Sequence, residues 1–437
     1  MIEYGLSGAL RRLEEEGRHI IIGIVGIGQM GRALAAQTVQ LPGIRPCVLV
    51  DHRPERARQI LLETGVPEWD LIETNQPSVA TASIEQGKIV LSEDDSLPAQ
   101  LGVLNLVVDA TGSPQDGARV AFSTIQSGKH MVSLNVESDI VVGPLLAKMA
   151  RKAGVVYTGS AGDEPAAVLE LYDFTLSMGM EPLVLGKGKN NPVNREANPD
   201  TAAQAAAASR MNSRMLASFQ DGTKTMVEMT AMANATGFFP DCPGGHGVNG
   251  QVGDLLRLYR LKKDGGILNS YQVVDYINGV APGVYLIYTT SQRELQAELK
   301  YLSQGEGPNY LLYRPYHLTS METPRTIAKV ALWGEPSIQP RLGAPYADTV
   351  AVAKRNLRAG EFLDGIGGYT VYGTILRRQE AQDKGALPIG LISPKARMLR
   401  NLAKGEILTW DVVALEEDSL IYRLRMEQER LLAAGAL

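Results

Sequence analysis

Blocks of apolar residues separated by polar, helix-forming stretches run through the first 160 positions. The apolar run Ile20 to Val25 leads into Gly26-Ile27-Gly28-Gln29-Met30-Gly31, and Arg32 to Gln37 then favours helix. A second run, Pro46 to Val50, precedes a helical stretch over Pro54 to Glu63, with Pro54 placed where a first helical turn tolerates a missing N–H. Leu104 to Val108 predicts a strand, and Asp109 to Pro114 supplies the turn residues that close it. A helix through Ala118 to Ser127, a strand His130 to Leu134, a helix over Pro144 to Ala153 and a strand Val155 to Thr158 continue the alternation. Such alternation predicts an α/β fold whose first domain, residues 1–160, is a Rossmann doubly wound parallel sheet.

After Ser160 glycine and proline become frequent, and Ser160 to Pro165 predicts a crossing into a second, α+β catalytic domain over 161–344. There Leu183 to Leu185 is a strand candidate ending in a loop from Gly186 to Pro192, and the alanine-rich tract Thr201 to Ser209 favours helix. From Pro345 a small β-rich module carries an internal echo, Asn356-Leu357-Arg358-Ala359-Gly360-Glu361 against Asn401-Leu402-Ala403-Lys404-Gly405-Glu406. Amphipathic helices are expected at both ends, over Met1 to Arg18 and Leu420 to Leu432.

The strand-to-helix glycine turn has the pattern of a dinucleotide site. Gly26 permits the tight turn, Gly28 lets backbone approach a pyrophosphate, Gly31 allows close helix packing, and Gln29 and Met30 open the helix whose N–H groups face the anion. Asp51, twenty residues beyond Gly31, is placed to hold a ribose diol and would repel a 2′-phosphate, whereas Arg53 would accommodate one. The cofactor is therefore NAD or NADP. Thr111 and Gly112 form the second cofactor loop, at the strand end where the nicotinamide side of such a fold lies.

Composition narrows the classes. The chain has 437 residues, enough for two or three domains, with 44% hydrophobic and 21% charged residues and a net charge of −5. That balance excludes a general nucleic-acid or anionic-membrane binder. Two cysteines, Cys47 and Cys242, are too few for a disulfide framework or a thiolate metal site, and no apolar run approaches a membrane span, so a cytoplasmic protein is expected.

Lys187 and Lys189, beside Asn190 and Asn191 and close to Arg195, would concentrate positive charge for a small phosphorylated or anionic substrate, or else form a solvated loop. Lys224 is the candidate for proton transfer to a carbonyl, oriented by Asp221 or by Glu228, although Lys224 and Glu228 at i,i+4 equally describe a surface ion pair. His246, flanked by glycines, is an acid/base candidate, and His317 a substrate contact; a lone histidine is as readily structural. Asp163 and Glu164 offer hard oxygen ligands for Mg²⁺ or Mn²⁺, with no spacing that fixes a ligand set.

Gly128-Lys129-His130-Met131-Val132-Ser133-Leu134-Asn135 resembles the homoserine dehydrogenase superfamily, as does Ser160 to Pro165, and the resemblance places Asn135 near the nicotinamide. Gly186 to Pro192, Asp221 to Lys224 and Leu312 to Leu318 are similar to the catalytic domain of the 1-deoxy-D-xylulose 5-phosphate reductoisomerase-like oxidoreductases, and Pro345 to Val413 resembles an SAF domain. The resemblance implies NAD(P)H-dependent conversion of 1-deoxy-D-xylulose 5-phosphate into 2-C-methyl-D-erythritol 4-phosphate, an isoprenoid-precursor step, by a homo-oligomer. Two departures stand out: Asn135-Val136-Glu137 replaces the superfamily's Asn-Lys, and Asp221 and Lys224 are three apart rather than four. The alternatives are a dehydrogenase acting on another hydroxy acid or sugar phosphate without rearrangement, and a dinucleotide-binding sensor or scaffold that catalyses nothing.

Overall fold

The computed structural model describes residues 4–209 and 211–437. The chain forms two compact units, each assembled from separate stretches: the segment up to Asp163 with Leu318–Gln339 and Arg423–Leu437, and Glu164–His317 with Pro340–Tyr422.

The first unit holds a seven-stranded parallel sheet. Its strands are β1 (Ile20–Val25), β2 (Ile44–Val50), β3 (Leu71–Glu73), β4 (Ile89–Ser92), β5 (Leu106–Asp109), β6 (His130–Ser133) and β7 (Tyr157–Gly159), in the order β3-β4-β2-β1-β5-β6-β7. The order reverses at β1, so the strand carrying the glycine turn sits at the switch point where a crevice opens beyond the carboxyl ends of the strands. This is the doubly wound α/β architecture the alternation predicted. β3 and β4 are additions, each of only three or four residues. The N-terminal helix occupies Gly5–Glu15; the expectation for residues 1–3 falls outside the described residues.

One helix differs from expectation. It was predicted to begin at Pro144, yet it runs from Val136 to Ala153 straight through that proline. A proline inside a helix removes an N–H and pushes the ladder open. Here the gap is filled from the C-terminal helix: the Leu145 N–H donates to Gln428 Oε1 at 3.1 Å, and Gln428 Nε2 donates to the Val141 carbonyl at 3.1 Å. The fully buried Arg425 adds a bond to the same carbonyl at 3.2 Å. The side-chain amide thus bridges the opened Leu145–Val141 rung next to the proline, and the helix continues.

The second unit is built on β8 (Glu181–Lys189), β9 (Phe239–Pro240), β10 (Val248–Asn249), β11 (Val273–Asn278), β12 (Val284–Thr289) and β13 (Asn309–Arg314). The sheet order is β10-β11-β8-β12-β13, with β9 also on β11; β8 is parallel to β11 and antiparallel to β12. One apolar cluster joins Leu185, Met226, Met229, Val274 and Leu286 to the helix Thr223–Thr236, and another gathers Val184, Tyr259, Ile277, Tyr285 and Ile287. Every residue from Thr223 to Asn234 is buried, so that helix is wrapped on all sides and its charged side chains are internal.

In the same unit β14 (Ala347–Ala353) pairs antiparallel with β15 (Val371–Arg377). The two echoed turns meet there: Leu357 and Leu402 bridge, Asn401 Oδ1 accepts the Ala359 N–H, and Asn356 Oδ1 accepts the Lys404 N–H. Glu361 and Glu406 each close their own turn by accepting the N–H of Arg358 and Ala403, and Gly360 and Gly405 share a φ of 84° and 85°. The echo is a pair of reciprocal turns. Among the described residues no helix is long and apolar enough to cross a membrane.

Candidate active site

In the first unit the glycine turn is shaped by steric exclusion. Gly26 has φ +91°, and a Cβ there would lie 2.8 Å from the Ala110 carbonyl; a Cβ on Gly31 would come within 1.9 Å of the Gly26 oxygen. Gly28 is different, since nothing lies within 4 Å of its Cβ position. Backbone is therefore bare just where the helix Gln29–Thr38 begins, with no side chain capping its N–H groups. Asp51 ties the turn to the end of β2, accepting the Ile27 N–H at 2.9 Å through Oδ2 and the Arg53 N–H at 2.9 Å through Oδ1. Arg56, to which the glycine pattern does not point, stands 3.6 Å from Asp51 Oδ1. Its signal was its place in the first turn of the helix after Asp51.

At the neighbouring strand end, Asn135 caps the helix Val136–Ala153 by accepting the Ser138 N–H at 3.0 Å. Its amide nitrogen donates to the Ser113 carbonyl at 2.8 Å and to Thr111 Oγ1 at 3.2 Å. Asn135 thus holds the Thr111-Gly112-Ser113 loop in shape. Thr111 in turn donates to Asp109 Oδ1 through both its hydroxyl, 2.6 Å, and its N–H, 2.8 Å. The other oxygen of Asp109 is buried with no hydrogen-bond partner. Burial raises this carboxyl to about 7, with Asp116 and Glu137 adding like charge and the Thr111 bonds opposing.

In the second unit Lys187, Lys224, Glu228 and His317 come together, though not in the predicted setting. Lys187 and Lys189 were expected in a loop; both lie in β8 and are buried. Their flanking glycines mark tight packing, because a Cβ on Gly186 would meet the Tyr285 ring at 2.1 Å and one on Gly188 the Val280 carbonyl at 2.5 Å. Lys187 Nζ is 2.7 Å from Glu164 Oε1 and hydrogen-bonded to Glu228 Oε2. Burial alone would strip the charge from this lysine, but the two carboxylates outweigh it and raise its pKa above the ordinary value. Glu164 is the reciprocal case: burial is opposed by Lys187 and His317, which hold it below the usual carboxylate range. His317 Nε2 lies 3.4 Å from Glu164 Oε1, and Lys224 Nζ 4.0 Å from Glu228 Oε1. The Lys224–Glu228 pair is thus internal, with side chains 9% and 3% exposed, and not the surface pair the spacing allowed.

Lys189 donates to the Phe219 carbonyl at 2.6 Å, and burial, then the charge of Lys187, lowers it to about 8. Arg195 donates to the Asp221 carbonyl at 2.7 Å and lies 4.5 Å over the Tyr372 ring, so its charge is turned inward. Asn190 is exposed and Asn191 half-buried in the following loop. The Asp221 carboxylate is taken by Lys354 at 2.8 Å and by the Thr223 N–H at 2.7 Å, which leaves Glu228 beside Lys224. His246 sits in its own acidic turn, 2.8 Å from Asp241 Oδ2 and with its N–H on Asp275. A bond with Cys242, then Asp241, raises the imidazole to about 9 against burial. Glu164, by sequence a hard-oxygen metal candidate, is the residue that joins Lys187 to His317; Lys187 is 23 positions away and no local pattern marks the pairing.

Glu164 and Glu228 belong to a group of carboxylates close enough together to hold a metal ion, but Lys187 occupies the place between the two. A doubly charged ion about 4 Å from that ammonium would be repelled by roughly 8 kcal/mol at an effective dielectric of about 20, and each carboxylate at the same distance would attract it as strongly, so a metal at this centre would have to displace Lys187 from its carboxylates. Elsewhere in the unit a cavity of about 360 Å³ lined by Tyr172, Met180, Phe238, Gln272 and Gln292 offers shape but none of these charges.

Residues 162–323 match the family described as Oxidoreductase DRL, catalytic domain. No curated protein sequence matches the chain. Among solved structures, the chain is similar to a probable dehydrogenase from Thermotoga maritima, at 14% identity and a TM-score of 0.39 over 72% of this chain and 90% of that one. It is also similar to scyllo-inositol dehydrogenase from Lactobacillus casei, solved with NAD(H) and scyllo-inositol, at 16% identity and a TM-score of 0.38 over 68% and 76%. With an oxidoreductase catalytic domain matched over 162–323 and a dinucleotide turn at Gly26–Gly31, the chain is an NAD(P)-dependent oxidoreductase.

Proposed function

We propose that the protein acts on a small phosphorylated ketose as a reductoisomerase, converting 1-deoxy-D-xylulose 5-phosphate into 2-C-methyl-D-erythritol 4-phosphate. The observation that carries the reading is the buried set Lys187, Glu164, Glu228, Lys224 and His317, whose opposite charges stand ready around a place where oxyanion charge would develop. The match over residues 162–323 supports the same class of chemistry. The skeleton rearranges first, and the aldehyde so formed accepts hydride from the nicotinamide. Lys224 and His317 flank the carboxylate pair as proton donors, and Asn190 and Asn191 meet the phosphate end. NADH is the better cofactor for Asp51, whose carboxylate repels a 2′-phosphate.

One observation favours a second reading. Lys187 and Arg195 are already neutralised or turned inward, which suits a dehydrogenase of an uncharged or weakly anionic hydroxy compound without carbon migration. Incubation of the purified chain with NADH or NADPH and a panel of sugar phosphates separates the two. The first reading expects cofactor oxidation with the deoxyxylulose phosphate and a branched polyol phosphate by NMR. Oxidation only with unbranched substrates, and an unbranched product, would sink it in favour of the second.

A further inference from the structure

We propose that Lys187 is the resident cation of the catalytic centre, and that carbonyl reduction here runs on this ammonium in place of a divalent metal. The inference rests on the carbonyl-reduction reading and says what polarises the substrate within it. Two carboxylates converging in a buried place are what a hard cation requires. Glu164 and Glu228 do converge, but on Lys187 Nζ, 2.7 Å from Glu164 Oε1 and hydrogen-bonded to Glu228 Oε2. The three side chains are 6%, 13% and 3% exposed.

None of the three arrives on a loop. The lysine comes from the middle sheet strand β8, and the carboxylates come from the helices Glu164–Ser177 and Thr223–Thr236. Gly186 and Gly188 pack that strand closely against Tyr285 and the Val280 backbone, which fixes where the backbone of Lys187 lies. An ammonium carries three N–H donors, and two are committed to the carboxylates. The third meets the substrate oxygen. Hydride leaves the nicotinamide for the carbonyl carbon, the π pair moves onto oxygen, and the Lys187 N–H stabilises that alkoxide without giving up its proton. The proton that completes the alcohol comes from Lys224 or His317, reloaded from water.

The test uses the full chain, with Mn²⁺ as the probe. Titration of wild type with Mn²⁺, followed by EPR, should leave the metal signal that of the free ion. Lys187→Ala, folded as judged by circular dichroism, should gain Mn²⁺ affinity by at least roughly tenfold and should lose that gain when Glu228→Gln is added. Turnover of wild type should survive EDTA, whereas Lys187→Ala should fall by at least roughly 100-fold. Tight Mn²⁺ binding by wild type that Glu228→Gln abolishes, or loss of wild-type turnover on chelation with recovery on Mg²⁺, would overturn the proposal. If no carbonyl substrate is turned over the functional reading fails, while the wild-type Mn²⁺ titration still decides which cation occupies the centre.

Discussion

Asp109 and Glu164 are both carboxylates enclosed by protein, one at the end of β5 in the first unit and the other at the start of a helix in the second. Asp109 has two donors from Thr111, no cation and two acidic neighbours, and its carboxyl is pushed up to about 7. Glu164 has Lys187 at 2.7 Å and His317 at 3.4 Å, and its carboxyl is held down. Burial penalises the charge in both. The difference lies in the neighbours, Lys187 and His317 at Glu164 against Asp116 and Glu137 at Asp109, so the sign of a buried carboxylate's shift is decided by the partners and not by the depth.

The strongest way to break the contrast is to remove the Lys187 ammonium. Lys187→Met should leave Glu164 and Glu228 without the ammonium between them, with only His317 and Lys224 at their outer sides, and cost about 3–5 kcal/mol of unfolding free energy, measured by urea denaturation at neutral pH. A loss under about 1 kcal/mol would mean that solvent or a neighbour replaces the lysine.

The second test runs along pH. Asp109 is raised above its ordinary value of 3.8, so its contribution is fully present below that value and is lost as pH rises through about 7. At about 1.36 kcal/mol per unit, a shift of some three units bounds the loss at about 4 kcal/mol. Asp109→Asn should therefore flatten the decline in the urea midpoint between pH 4 and 8. Glu164 has the opposite sign: its contribution is present above its ordinary 4.5 and is lost only as pH falls further, so it should shape the acid limb alone. An unchanged neutral slope in Asp109→Asn would show that the carboxyl titrates elsewhere.

Gln428 sharpens the comparison as its uncharged standard. It too is buried and polar, with both ends of its amide paired inside the helix opened at Pro144. Gln428→Ala should cost about 1–3 kcal/mol by stranding the Leu145 N–H and leaving the Val141 carbonyl to Arg425 alone, less than the loss of Lys187. Hydrogen exchange at Leu145 should speed up in parallel.

The legible and the hidden parts of the molecule divide along the same physical line. Gly26, Gly31 and Asp51 announced themselves because a tight turn and an acidic strand end impose residue types at fixed local spacing. Strands β1, β2, β5, β6 and β7 followed from apolar runs, while β3 and β4, of three and four residues, were too short to rise above their surroundings. Lys187 was found but misplaced, since glycines that relieve crowding by Tyr285 and Val280 look in sequence like glycines that turn a loop. The charge centre was hidden for a different reason. Glu164, Lys187, Glu228 and His317 are set by tertiary pairing of the β8 strand with two helices, and no periodicity connects residues 41 apart, as Lys187 and Glu228 are. Pro144 misled because its compensation comes from Gln428, 283 positions beyond Leu145.

The reciprocal turns at Asn356–Glu361 and Asn401–Glu406 have a consequence for how this part of the chain assembles. Each asparagine satisfies a backbone N–H of the opposite turn, so neither copy completes its own hydrogen bonding. Two halves locked in this way form only together: a deletion that drops either one takes away the asparagine that satisfies the other.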